Sequence, residues 1–180
     1  MTWFCAVITL CSLSAFKTYA APGDVSSKSM SNDVLIDSCL KGRHASCATA
    51  GLIFINGPKK DPAKAAEYFR RSCDAGHVDG CGYLGELLLV GVPDRGPKKD
   101  IKRGIHLLKR SCDNAPGLGH CGVLGRTYDD GDIVKRDIHK ARRYYVLDCT
   151  EHNDLSCSFA ERLGAKIDPA RRKKFSVPVR

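Results

Sequence analysis

The strongest constraint on this 180-residue chain is a cysteine pattern that repeats. Eight of the ten cysteines form four local pairs: Cys39/Cys47, Cys73/Cys81 and Cys149/Cys157 stand eight apart, and Cys112/Cys121 nine apart. The first members recur at steps of 34, 39 and 37 residues, the period of stacked helical hairpins. The second cysteine opens CATAGLIFING (47–57), CGYLGELLLVG (81–91) and CGVLGRTYDDG (121–131), each with glycine four and ten residues further on. A basic pair and an aspartate follow: Lys59-Lys60-Asp61, Lys98-Lys99-Asp100 and Lys135-Arg136-Asp137. The next first cysteine lies twelve residues past each aspartate.

Apolar or small residues stand four, seven and eight positions after those aspartates. They are Ala65, Tyr68 and Phe69; Gly104, Leu107 and Leu108; Ala141, Tyr144 and Tyr145. Such offsets trace one face of an α-helix. An aspartate just before the run can accept from the free amides of the first turn, and Pro62 suits the position where a missing N–H is harmless. Gly57, Gly91 and Gly131 are expected to end the preceding helix in a left-handed conformation. Gly51, Gly85 and Gly125, four past the cysteine, are expected to let two helices approach closely. Each unit thus reads as helix A, a short basic loop and helix B. The predicted fold is all-α, an α/α solenoid of stacked antiparallel helix pairs.

Phe4 to Phe16 is an apolar run followed by Thr18-Tyr19-Ala20, the small-x-small form of a secretory cleavage site, and it is too short to span a bilayer. The expected organisation is a signal peptide (1–20), a linker (21–30), a repeat domain (31–175) and a C-terminal tail (176–180). Cleavage would remove Cys5 and Cys11 and deliver the paired cysteines to a periplasmic or secreted, oxidising environment, where an even set at regular spacing forms disulfides. Each bridge would join one helix B to the next helix A and stabilise by roughly 2 to 3 kcal/mol. Metal ligation is the competing reading, because His44, His77, His120 and His152 lie inside the pairs. Their offsets from the first cysteine, five, four, eight and three, fit no repeating coordination geometry, and zinc sites space paired cysteines more closely. No metal and no cofactor is expected.

The net charge is +9, and losing Lys17 with the leader lowers it by one to +8. A cation-rich exported protein with no nucleic-acid-binding motif suits an acidic protein partner. The basic pairs Lys59/Lys60, Lys98/Lys99 and Lys135/Arg136 should line one edge of the stack, and Tyr83, Glu86 and Arg126 on helix A are further binding candidates. No nucleophile stands with an orienting base, so no catalytic residue is assigned.

The run LGELLLVGVPDRGPKKDIKRGIHLLKRSCDNA resembles a Sel-one-like repeat, a relative of the tetratricopeptide repeat. The cysteine after each helix B resembles the Helicobacter cysteine-rich protein family. The likeness covers roughly residues 31–175, three full units with a half unit at each end. It departs in the last copy, where Glu161 replaces the glycine. The resemblance implies a monomeric protein-binding scaffold whose A helices line a concave surface. It also implies three finer readings: an immunity protein neutralising a secreted effector such as a phospholipase, a weak β-lactamase or penicillin-binding protein, or a haem- or metal-binding redox assembly factor. Ser38-Cys39-Leu40-Lys41 matches the Ser-x-x-Lys of penicillin-recognising enzymes, but Ser-Asp-Asn and Lys-Thr-Gly are absent. A non-catalytic scaffold is therefore the expectation.

Overall fold

The computed structural model describes residues 31–93, 96–149 and 154–168, and those residues form helices joined by short loops. The sequence expectations for residues 1–30 and 176–180, the end of the repeat domain, Cys5, Cys11 and His152 lie outside the described residues. The order is α1 (Asn32–Leu40), α2 (Ala45–Asn56), α3 (Pro62–Asp74), α4 (Val78–Val90), α5 (Ile101–Asn114), a 3-10 turn (Pro116–Leu118), α6 (His120–Asp130), α7 (Ile138–Cys149) and α8 (Asp154–Arg162). The even-numbered helices are the A helices and the odd-numbered ones the B helices, so α1 and α8 are the flanking half units.

The B helices start where the aspartates direct. Asp61, Asp100 and Asp137 each accept through Oδ1 from the backbone N–H three residues on, of Lys64, Arg103 and Lys140, at 3.0 Å in all three cases. Pro62 occupies the first turn of α3. At the other boundary the expectation divides. Gly131 is left-handed, with φ 79° and ψ 7°; Gly91 has a positive φ of 77° but an extended ψ of 154°, and Gly57 has φ −72° and is not left-handed. Glycine is required at 57 for another reason: a Cβ there would lie 2.4 Å from the Ile53 carbonyl oxygen.

Successive helices pack in chain order from α1 to α8. The crossing of α4 with α5 is backbone against backbone, since a Cβ on Gly85 would stand 2.9 Å from the Gly104 carbonyl oxygen and one on Gly104 equally close to that of Gly85. At Gly51 and Gly125 the space is taken by an aromatic ring of the following B helix, Phe69 and Tyr145. Aromatic pairs recur along the stack, Phe54 with Tyr68, Phe69 with Tyr83, Tyr128 with Tyr144, and Tyr145 with Phe159, at centroid separations of 5.4, 5.0, 5.9 and 5.1 Å. Such contacts add stability beyond the area they bury. The core is accordingly a string of small clusters, one per hairpin junction, as a solenoid requires.

Disulfides join Cys39 to Cys47, Cys73 to Cys81, Cys112 to Cys121 and Cys149 to Cys157, each linking one B helix to the next A helix. The 3-10 turn Pro116–Leu118 and left-handed Gly119 (φ 83°) accommodate the nine-residue spacing of the third pair. Beside two of the bridges sits a second contact. The residues before the first cysteines, Ser38, Ser72, Ser111 and Asp148, are all buried. Ser38 Oγ lies 3.1 Å from Ser46 Oγ, and Ser156 donates to Asp148 Oδ2 at 2.6 Å. Two of the three successive A-helix pairs touch across units, α2 with α4 and α4 with α6, more than any pair of B helices does. That asymmetry places the A helices on the inside of the curve. Among the described residues no helix is long and apolar enough to cross a membrane.

Candidate binding surface

Which helix a charge falls on decides where it appears on a solenoid. Helices α3, α5 and α7 together hold ten lysines and arginines against four carboxylates. Helices α2, α4, α6 and α8 hold six carboxylates against only Arg126 and Arg162. The outer face is therefore cationic and the inner one acidic. The cationic loop edge adds to the outer charge: Lys59, Lys60, Lys98, Lys99 and Lys135 are exposed.

Arg136, grouped with those lysines in the sequence, is engaged within the fold. Its Nε donates to the Asp129 carbonyl oxygen at 2.7 Å and its Nη2 to Asp129 Oδ1 at 3.3 Å. Asp129 is buried, and Arg162 of α8 donates to its other carboxylate oxygen. One aspartate thus ties the loop after α6 to α8. Nothing in the local sequence around Asp129 signals this role, because Arg162 lies 33 residues away.

The inner-face candidates separate in the same way. Tyr83 is half-buried, stacked on Phe69 and meeting His120 edge-on at 4.9 Å, so it links repeats rather than standing free. Burial above all, then the charges of Glu86 and Asp79, hold its hydroxyl above the usual tyrosine range. Glu86 accepts from His120 Nδ1 at 2.9 Å. His120 is 1% exposed and lies flat on Gly82, where a Cβ would stand 2.2 Å from the ring. It is an inter-repeat knob, not one of four equivalent surface histidines: His44 is exposed and His77 half-buried. The sequence signal for it is a pairing of bulk with absence of bulk, His120 before one second cysteine and Gly82 after the previous one.

Glu86 and Arg126 do come together. They line a cleft of about 350 Å³ between α4 and α6, with Leu89, Val90, Val123 and Ile133 supplying apolar wall and Thr127, Asp130 and Asp132 polar rim. Val90 is 66% exposed and adds apolar surface at the mouth of the cleft. This surface can hold a side chain or a short segment. It holds no nucleophile–base pair.

The Ser-x-x-Lys match has no reactive arrangement. Ser38 is 2% exposed and accepts from Arg43 Nε at 2.6 Å, while Lys41 pairs with Asp37 at 2.8 Å. The eight paired cysteines are all in bridges, which leaves them without thiolates to offer a metal. Among the described residues no three His, Cys, Asp or Glu side chains gather as a metal site would need.

The Sel1 repeat family model matches residues 45–77, 78–116 and 123–147, together more than half of the chain, and each match begins at or within an A helix. A crystal structure of c5321, a protective antigen present in uropathogenic Escherichia coli strains displaying an SLR fold, superimposes with a TM-score of 0.62 at 23% identity. That likeness covers 79% of this chain and 30% of the other. A Sel1 repeat protein from Oxalobacter formigenes superimposes with a TM-score of 0.58 at 19% identity, covering 79% of this chain and 60% of that one. No curated protein matches the chain. At these identities the structures establish the fold, and the family rests on the repeat matches. The three matched units and the helical pairs that embody them establish that the chain belongs to the Sel1 repeat family.

Proposed function

We propose that this chain is an exported, non-catalytic scaffold that holds an acidic protein against its cationic outer face. The observation that carries the proposal is the segregation of charge, ten cations against four carboxylates on the outer helices with exposed loop lysines beside them. Like charges gathered on one side steer an oppositely charged partner and speed its encounter. Four bridges support an oxidising compartment outside the cytosol. Within that reading the partner is a secreted effector such as a phospholipase, and the scaffold is its immunity protein.

Affinity capture from the native envelope, beginning with the product of the neighbouring open reading frame, tests the proposal. Binding should weaken steeply as salt rises, and reversing Lys59, Lys60, Lys98 and Lys99 to glutamate should weaken it at low salt. Binding that is indifferent to both would remove the basis for an acidic partner. For the immunity reading, co-expression must restore growth to cells exposed to the captured effector.

A further inference from the structure

The net charge of the chain directs attention outward, yet a cleft between two A helices carries the opposite sign. We propose that the cleft between α4 and α6 binds a protein segment that presents an aliphatic side chain beside lysine or arginine. This goes beyond the acidic partner assigned to the outer face and does not rest on it.

Three observations converge on that ligand chemistry. The wall is aliphatic, formed by Leu89, Val90, Val123 and Ile133, and Val90 is left two-thirds exposed to water. A space of about 350 Å³ takes a few side chains rather than a folded domain. The rim carries Glu86, Asp130 and Asp132 against the single cation Arg126, so an anionic segment would meet repulsion where a cationic one meets attraction. The inner helices reinforce that sign over a wider area.

The wall is also rigid. Glu86 is fixed by His120, and the start of α6 is tied to α5 by the Cys112–Cys121 bridge. A preformed recess loses less entropy on binding than one that must be ordered. Asp130, the last residue of α6, and Asp132 just after it are exposed, so their charges can be changed without touching the core.

The test uses three fluorescein-labelled twelve-residue peptides, built from alternating Leu and Lys, Leu and Glu, or Gly and Lys. They are titrated into the disulfide-intact protein, with amide chemical shifts followed by NMR. The Leu–Lys peptide should saturate at one site and move the amides of Leu89, Val90, Val123, Thr127 and Ile133. The Gly–Lys peptide should bind at least roughly tenfold more weakly, since one buried aliphatic side chain is worth about that much. The combined change Asp130→Asn and Asp132→Asn should weaken the Leu–Lys peptide about fivefold. The Leu–Glu peptide should leave the amides of the cleft unmoved. Equal binding of Leu–Lys and Gly–Lys, shifts outside the cleft, or indifference to the double change each overturns the proposal. None of these results bears on capture of an acidic partner by the outer face.

Discussion

Replacing Gly82 with alanine tests the inter-repeat knob directly. Alanine is normally the better helix residue, by about 1 kcal/mol, so a stack held only by generic helix packing would gain stability. Here the new methyl would stand 2.2 to 2.5 Å from three ring atoms of His120. Ordinary carbon contacts begin near 3.5 Å, so the ring must withdraw by about 1.3 Å. It has nowhere to go, being 1% exposed, bonded through Nδ1 to Glu86, set against Tyr83 and followed in the chain by the bridged Cys121. Overpacking costs about 1 to 3 kcal/mol, and loosening the bond to a half-exposed glutamate about 1 more. Against the helical gain, a net loss of roughly 2 kcal/mol is expected, or about 5 °C in Tm for a domain of this size. Urea unfolding followed by far-ultraviolet circular dichroism measures it. His120→Ala in the same chain makes room for the methyl, so the double variant should be more stable than the sum of the single losses predicts, by about 1 kcal/mol or more. A neutral Gly82→Ala, or strict additivity in the cycle, refutes the knob.

Four further outcomes are expected. Removing Cys39–Cys47 or Cys112–Cys121 by paired alanine substitution should lower stability by roughly 2 to 3 kcal/mol in each case, because the closed loops are nearly equal in length; losses below about 1 kcal/mol for both contradict the staple. Asp137 has its carboxyl held below the ordinary 3.8 by the Lys140 backbone amide first and its ammonium second. That support is complete above the unfolded value and fades as the pH falls through the folded one, so wild type and Asp137→Ala should converge in stability in acid titrations below about pH 4. Tyr145 moves the other way: burial, then Asp129 and Asp130, push its hydroxyl up to about 12 from 10.0. The corresponding stability is intact below pH 10 and lost between 10 and about 12, and Tyr145→Phe should blunt the alkaline unfolding seen by circular dichroism. Asp129→Asn should cost about 1 to 3 kcal/mol and speed amide exchange in α8, since Arg136 and Arg162 converge on that one buried carboxylate; unchanged exchange there refutes the tether.

What could be read from the sequence was chemistry confined to one hairpin and then repeated. Asp61, Asp100 and Asp137 cap a helix three residues away, and each cysteine finds its partner across one turn, so spacing alone reveals both. Gly57 was misread because glycine answers two demands that look alike in one dimension, a positive φ and a neighbour too close for a Cβ; only the fold tells which applies. His120 and Glu86 are 34 residues apart, on the A helices of adjacent units, and Arg162 and Asp129 are 33. Those pairings depend on the rise and rotation between units, which no single unit encodes. Arg136 shows the same limit at short range, because its basic neighbours face water while it turns back to Asp129.

Averaging over the chain also hides the arrangement most relevant to binding. A charge of +9 describes neither face of the stack. Helices alternate between inside and outside, so every second one contributes to the same surface, and the acidic α4 and α6 are interleaved in sequence with the basic α3, α5 and α7. Packed helices sit about 8 to 10 Å apart, each about 10 Å across, which puts the two faces roughly 20 Å from one another. Physiological salt screens charges over about 8 Å, so a partner arriving at either face is governed by that face alone. Reversing exposed cations within the outer helices, such as Lys109 and Arg110, should therefore leave the inner cleft's preference for cations intact, and neutralising Asp130 and Asp132 should leave capture by the outer face intact. A net charge can be the sum of two opposed surfaces, and on a solenoid it is the surfaces that select the partner.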